Sequence, residues 1–592
     1  MFAGKGARST RWLIDGRAIG VESEADGEAS RTMWNRRDTW VLWSALLALL
    51  AGAVHAQSPA SVAWTGEPGT VETTGQIMAR QKYSPKVVPL VRKFEQENEE
   101  RRSIPQDPGS PAVAQVPAPE AGAAVAPALL RSPVARVRSG GSGMLPSFLG
   151  GTLADTASFP PDSHGSVGPT QYLMAINGRI RVFDKAGTVG ALNTTLDNFF
   201  ASVMTPGVSN FVCDPRARYD RFIQKWIVIA MDVPGGGSLP NRIVIAVSDG
   251  PTITAGTVWS FFQFQQDLVG TTPNADTGLF ADYPTLGVDK HALYIGVNMF
   301  GSSFTGTTGF VVHKSSLTPG GSPVVTAFRQ LCTASSDGPS TPQGVDNDDP
   351  NATEGYFIGV SNAFFGRLIL RRVSNPGTTP TISSDIVITV PTTRYAAEAP
   401  HKGNTGSSGA GGLLDTVGDR LFAAALHRNR ITGTSTLTTA HNIGVGSTGV
   451  ATAGGRAGIR WYELGSLSGT PTLVQSGTIF DNAASNPNWY IIPTIAMSGQ
   501  GRMLVGSTVT GLNTYASVQV SERFSSTSLG TMASTTIAKA GVAAYNPPGN
   551  TGISRPRRWG DYSQVSVDPV DDMTLWTIQE YTHSANVYGV EI

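Results

Sequence analysis

The chain has 592 residues, a formal net charge of +0 and 15% charged residues. That length exceeds one ordinary hydrophobic core and calls for several domains or a repeat architecture, while the lack of a basic excess excludes the usual nucleic-acid binder. The 68 glycines suit many short strands joined by tight turns.

In chain order, Arg36 and Arg37 precede an apolar run from Val41 to Val54 that ends in Val54-His55-Ala56. This is the layout of a signal peptide cut after Ala56, and the run is too short for a comfortable transmembrane span; an uncleaved anchor is the competing reading. Residues 1–56 are therefore read as leader and signal peptide, with Met33 an alternative start. The mature protein is expected outside the cytoplasm, secreted or periplasmic, with no membrane span after cleavage. Residues 57–143 read as a disordered linker or pro-segment, with a charged helix predicted over Val88–Arg102 and a Pro/Ala-rich stretch from Pro105 to Val137. Such a composition buries too little apolar surface to offset ordering entropy, so the segment is expected to be dispensable for folding.

From 144 to 592 short apolar runs recur between turn residues. They are Tyr172–Phe183, Trp226–Val247, Ala292–Val312, Tyr356–Val373, Leu421–Leu464, Tyr490–Val520 and Leu575–Ile592. Their starts lie roughly 55–85 residues apart, room for about four strands each, which is one propeller blade. The fold expected is all-β, a single β-propeller of about seven blades with six as the alternative count. Asp282-Tyr283-Pro284-Thr285-Leu286-Gly287-Val288-Asp289 aligns without gaps on Asp561-Tyr562-Ser563-Gln564-Val565-Ser566-Val567-Asp568, and a strand with Tyr294 or Trp576 follows; Asp214-Pro215 through Trp226 is a weaker echo. These windows mark the same place in different blades. Asp282 and Asp561 are accordingly expected to be equivalent turn-fixing residues, like Asp214, Asp289 and Asp568. The chain ends on an alternating strand, Val587 to Ile592, so the two ends of 144–592 are expected in one blade or in adjoining blades, with Tyr172–Phe183 as the partner region. Cys213 and Cys332 are the only cysteines, read equally well as a disulfide or as two buried thiols.

Pro160-Pro161-Asp162-Ser163-His164-Gly165-Ser166-Val167-Gly168-Pro169, Asp282-Tyr283-Pro284, Arg460-Trp461-Tyr462-Glu463 and Arg558-Trp559-Gly560-Asp561-Tyr562-Ser563 together resemble a family of secreted bacterial proteins of sialidase-like (BNR-type) β-propeller fold. The resemblance covers about 150–592 and implies the fold without an activity. The sialidase Asp-box has its nearest match in Ser248-Asp249-Gly250 with Thr257 and Trp259, at a different spacing.

The candidate ligand-binding residues are Asp162 and His164, a polar pair in a Gly/Pro loop before the first blade, with Asp282, Tyr283, Arg558, Asp561 and Tyr562. Carboxylates around a channel mouth suit a cation or sugar hydroxyls; the competing reading is turn fixing. Trp461, Tyr462, Trp559 and Tyr562 are read either as a sugar-stacking surface or as blade-core aromatics. Asp346 and Asp348, in the densest acidic loop, are oxygen ligands of the kind Ca²⁺ takes, against the competing reading of a solvated loop; no other cofactor is expected. No metalloprotease, nucleophile-elbow or phosphate-loop motif is present. The expected function is a monomeric secreted propeller that binds a glycan or a protein, with a sialidase-like glycoside hydrolase as the alternative. An asymmetric cluster of Arg, Glu and Tyr on one face is the feature that favours the hydrolase.

Overall fold

The computed structural model describes residues 62–83, 123–125, 147–237, 240–270, 274–405, 412–548, 550 and 556–592. The segment read as a signal peptide, the charged helix expected over Val88–Arg102 and the Pro/Ala-rich stretch apart from Ala123–Val125 lie outside them. The strands pair into seven sheets, largely antiparallel, taken in chain order. Their first strands are His164–Val167, Asn210–Asp220, Phe280–Asp282 with Gly287–Val288, Pro339–Gly344, Leu421–Arg428, Trp489–Met497 and Gln564–Val567. First strands pack on one another: His164–Val167 lies against both Asn210–Asp220 and Gln564–Val567, and Trp489–Met497 against Leu421–Arg428 and Gln564–Val567. The fold is a seven-bladed β-propeller around a narrow polar channel, and each apolar run of the sequence falls in its own blade.

The repeat seen between two sequence windows extends further in three dimensions. Asp214, Tyr283, Thr341 and Ile492 have φ of 53°, 55°, 43° and 52°, and each precedes a proline. Strand pairing slips by a bulge across Asp214, Thr341 and Ile492. Asp162 and Val417, with φ of 47° and 57°, enter the first strands of blades 1 and 5. Bulges bend a strand and re-aim its side chains, here toward one end of the channel. At the strand's other end an aspartate fixes the turn. Asp220 Oδ1 accepts from the Phe222 and Ile223 amides at 2.8 and 3.2 Å, and Asp289 Oδ1 from His291 and Ala292 at 2.7 and 2.8 Å. Asp568 Oδ1 accepts from Val570 at 3.1 Å. The aromatic of the following strand completes the match: Tyr294 Oη donates to Asp289 Oδ2 and Trp576 Nε1 to Asp568 Oδ2.

Residues 62–83 and 123–125, within the segment read from the sequence as linker, pair with the propeller. Trp64–Thr65 pairs with Val324–Val325 on the outer edge of blade 3, and Thr70–Thr73 with Val258–Phe261 on blade 2. A helix, Thr74–Tyr83, follows. Its capping box is reciprocal, Gln76 N to Thr73 Oγ1 at 3.2 Å and Thr73 N to Gln76 Oε1 at 2.7 Å. Ile77 is fully buried among Phe199, Phe200 and Trp259. Ala123–Val125 adds a parallel strand beside Ile479–Asp481 of blade 5. Composition hid these strands because edge pairing uses backbone groups, which any sequence carries. Ile77→Ala is expected to lower stability by about 2–4 kcal/mol in chemical denaturation; an unchanged midpoint would mean that the helix contributes nothing to the fold.

Ring closure joins the two ends in blade 7, where Val587–Glu591 pairs with Leu149–Thr152. The partner is this strand and not Tyr172–Phe183, which lies in blade 1. Cys213 and Cys332 are buried free thiols. Trp461, Tyr462, Trp559 and Tyr562 are at most 1% exposed, so they are core aromatics and not a stacking surface.

Candidate functional site at one end of the channel

The bulges bring Asp162, Asp214, Asp282 and Asp561 together from blades 1, 2, 3 and 7. Asp162 accepts Asn177 Nδ2 at 2.6 Å and the Asp561 amide at 2.9 Å. The same Asn177 accepts the Asp214 amide through Oδ1 at 2.8 Å. Asp282 Oδ1 accepts the amide of Tyr283 at 3.0 Å. Asp561 instead holds Arg558, whose Nη2 reaches both carboxylate oxygens, Oδ1 at 2.5 Å. The two aspartates are equivalent in register.

Two tyrosines cross at the centre, Tyr283 edge-on to Tyr562 with ring centroids 5.6 Å apart. Tyr283 Oη donates to the Asp561 carbonyl at 2.6 Å, and Tyr562 Oη to Pro215 O at 3.2 Å. Arg216 stacks 3.2 Å from the Tyr562 centroid and donates Nε to Pro284 O at 2.8 Å. Arg420 lies 4.8 Å from the Tyr283 centroid. His164 accepts the Ala217 amide on Nδ1 at 3.0 Å, and its Nε2 is 2.9 Å from Arg218 Nη1. All seven candidate ligand-binding residues, Asp162, His164, Asp282, Tyr283, Arg558, Asp561 and Tyr562, thus meet in one cluster.

Sequence reasoning missed Arg216, Arg420, Asn177 and Glu580 as members. Glu580 lies inside the strand Leu575–Ser584; a charged residue between Ile578 and Tyr581, both buried, was the available signal. The cluster is also asymmetric. At the matching bulges blades 4 and 6 carry Thr341 and Ile492, without charge.

Electrostatics follows from burial and crowding. Asp162 and Glu580 are pushed well above the carboxylate range, first by burial, then by neighbouring carboxylates. Asp214 is raised to about 8 by burial, Asp282 and Asp561. His164 is held neutral by burial and by Arg218 and Arg216. Buried groups that keep a proton beside an Arg-paired carboxylate are a functional-site signature. Two long inter-blade connections, 390–420 and 540–563, meet here through a Leu414–Arg557 bridge, and long connections between elements are often functional.

The channel's other end is closed by charge pairs around a cavity of about 30 Å³, roughly the space of a water molecule. Asp346 pairs with Arg218 at 3.3 Å, and Asp348 with Arg221 at 3.1 Å and His427 at 3.3 Å. Asp572 takes Arg221, His427 and Arg430 at 2.8, 3.0 and 2.7 Å. The acidic loop read as a Ca²⁺ site therefore gives its Asp346 and Asp348 carboxylates to protein cations. Among the described residues no group of three His, Cys, Asp or Glu is arranged to hold a metal ion. Also among the described residues, no helix is long and apolar enough to cross a membrane.

No family model matches the chain, and no curated protein matches it in sequence. It is similar to solved structures. A Penicillium chrysogenum α-L-arabinanase complexed with arabinobiose is 14% identical over 61% of this chain and 92% of that one, with a TM-score of 0.32. A Hadza microbial sialidase is 13% identical over 60% and 63%, TM-score 0.32. A Trypanosoma rangeli sialidase in complex with the inhibitor DANA is 12% identical over 69% and 56%, TM-score 0.31. These are distant likenesses in fold; the seven blades rest on this chain's own strand pairing.

Proposed function

We propose that the protein is an exported β-propeller that binds a glycan at the channel end formed by blades 7, 1, 2 and 3. The observation that carries the reading is the one-sided convergence of Asp162, Asp214, Asp282, Asp561 and Glu580 with Arg216, Arg558, Tyr283 and Tyr562. Sugar hydroxyls both donate and accept, and this cluster offers both: carboxyls that keep their proton donate, while carboxylates and tyrosine oxygens accept. Glu580 Oε1 and Arg216 Nη2 are buried without a hydrogen-bond partner, and such atoms are costly unless something fills them.

The second reading, a sialidase-like glycoside hydrolase, is favoured by one further observation. Glu580 is driven toward its protonated form by burial and by Asp162 and Asp561, while Asp561 is ion-paired with Arg558. A proton-bearing acid beside a second carboxyl group is the pairing that most glycoside hydrolases use, and sialidases put a tyrosine in the nucleophile's place; Tyr283 and Tyr562 stand in this cluster.

A glycan array and a panel of fluorogenic glycosides, run on wild type and Glu580→Gln, test both. Binding alone is expected to be saturable and weakened about tenfold or more in the variant. Turnover that falls by ~10²-fold or more in the variant, with binding kept, would select the hydrolase. If the wild type retains no glycan and cleaves no glycoside, both readings fail.

A further inference from the structure

Neighbouring blades are mostly sealed by large side chains. Phe262, Phe264, Phe280, Phe300 and Phe310 fill the space between blades 2 and 3, and Trp226, Trp259 and Phe261 that between blades 1 and 2. Blades 6 and 7 meet differently. The apolar cluster between them has only Ala496, Leu504, Val520 and Val565 as its buried members, and a cavity of about 310 Å³ remains, at the lower end of the range that holds small organic ligands. Its walls include Leu504, Val520 and Ala538 of blade 6 and Leu575 and Trp576 of blade 7, with Phe524 at the rim.

One polar group in this wall has an unfilled valence. Glu591, 3% exposed, accepts Ser147 Oγ at 2.7 Å and Lys539 Nζ at 3.1 Å on Oε1, but Oε2 receives no hydrogen bond. The charged lining residues balance, Arg502 and Arg523 against Glu522 and Glu591. A balanced, apolar cavity disfavours a charged ligand. One free acceptor matches a hydrogen-bond donor such as a hydroxyl.

We infer that the cleft between blades 6 and 7 is a second ligand site, for a neutral molecule with an apolar body and a hydroxyl head that donates to Glu591. It lies apart from the channel-end cluster and does not depend on the glycan reading.

The test uses the full chain and N-phenyl-1-naphthylamine, a neutral apolar fluorophore with one N–H donor. Saturable enhancement at one probe per chain is expected. Dodecan-1-ol should displace the probe at about tenfold lower concentration than methyl undecyl ether, which has the same length but no donor. Glu591→Gln should shrink that advantage. Ala538→Phe, which fills the cleft from a half-buried position, should weaken probe binding at least tenfold; Met573→Trp at the exposed rim gives the same reading if the first variant folds poorly. No saturable binding, equal displacement by alcohol and ether, or wild-type binding in a folded cleft-filling variant would overturn the inference.

Discussion

Deletion of Tyr581–Ile592 is expected to give insoluble protein instead of a shorter stable domain. The segment removes the strand that closes the ring, where Gly589, Val590 and Glu591 pair with Thr152, Gly151 and Leu149. It also breaks the two backbone hydrogen bonds between Phe148 and Ile592, each 3.0 Å. Tyr581, Tyr588, Val590 and Ile592 are all buried. Tyr588 additionally anchors the chain entry by donating to the Ser158 carbonyl at 2.9 Å. At ~1.5–3 kcal/mol for each buried side chain, the loss rivals the about 5–15 kcal/mol that stabilises a typical domain. It also leaves unpaired strand edges at both sides of the gap, which favour aggregation. Soluble yield and a thermal melt measure the outcome. A truncated protein that stays monomeric and melts cooperatively near the full-length temperature would rule out closure by this strand.

Stability is expected to fall steeply as pH rises from about 6.5 to 9. Asp214 ionises near its ordinary 3.8 when unfolded but at about 8 when folded, because burial, Asp282 and Asp561 oppose its charge. The folded state then holds the proton more tightly, and this advantage, complete below the unfolded value, is lost as pH climbs to the folded one. His427 acts in the same direction. Burial opposes its charge, yet its hydrogen bonds to Asp348 and Asp572 outweigh burial and raise it from 6.5 to about 9. Its contribution is complete below 6.5 and is lost through 9. At ~1.4 kcal/mol per pKa unit the two together amount to as much as ~5 kcal/mol over this range. On the acid side His401 and His441, depressed to about 4 by burial, must take up protons on unfolding. Their contribution is lost as pH falls from 6.5 to 4, while that of Asp214 grows over the same range. Urea denaturation at pH 6.5 and 9 measures the drop, and Asp214→Asn and His427→Gln should each flatten it. An equal midpoint at the two pH values in the wild type would contradict the assignment.

The blades were legible because each is local. A run such as Tyr356–Val373 contains two neighbouring strands, Glu354–Ser361 and Arg367–Ser374, joined by a short turn, so alternation and turn residues state the element directly. The windows at Asp282 and Asp561 were legible for the same reason, since one strand and its turn aspartate lie within a few residues. The outer strands Trp64–Thr65 and Thr70–Thr73 were not, because their partners are blade edges more than 180 residues away in the chain and pairing asks nothing of their side chains.

The sequence by itself determined the all-β class, the location of the seven blades and two of the aspartates that fix their turns, Asp289 and Asp568, because strand period and turn chemistry act over a few residues. It also supplied the seven polar residues of the channel-end cluster one by one. Only the tertiary structure decided that they meet. Asp162 and Asp561 are 399 positions apart, and their contact at 2.9 Å exists because the first and last blades adjoin when the ring closes. The same closure sets Glu580 and Arg216 beside them, gives the Asp346 and Asp348 carboxylates to arginines and a histidine instead of solvent, and leaves the gap between blades 6 and 7. Burial and neighbouring charge set the chemistry of each of these groups, and both are properties of the closed ring, which no local stretch of sequence contains.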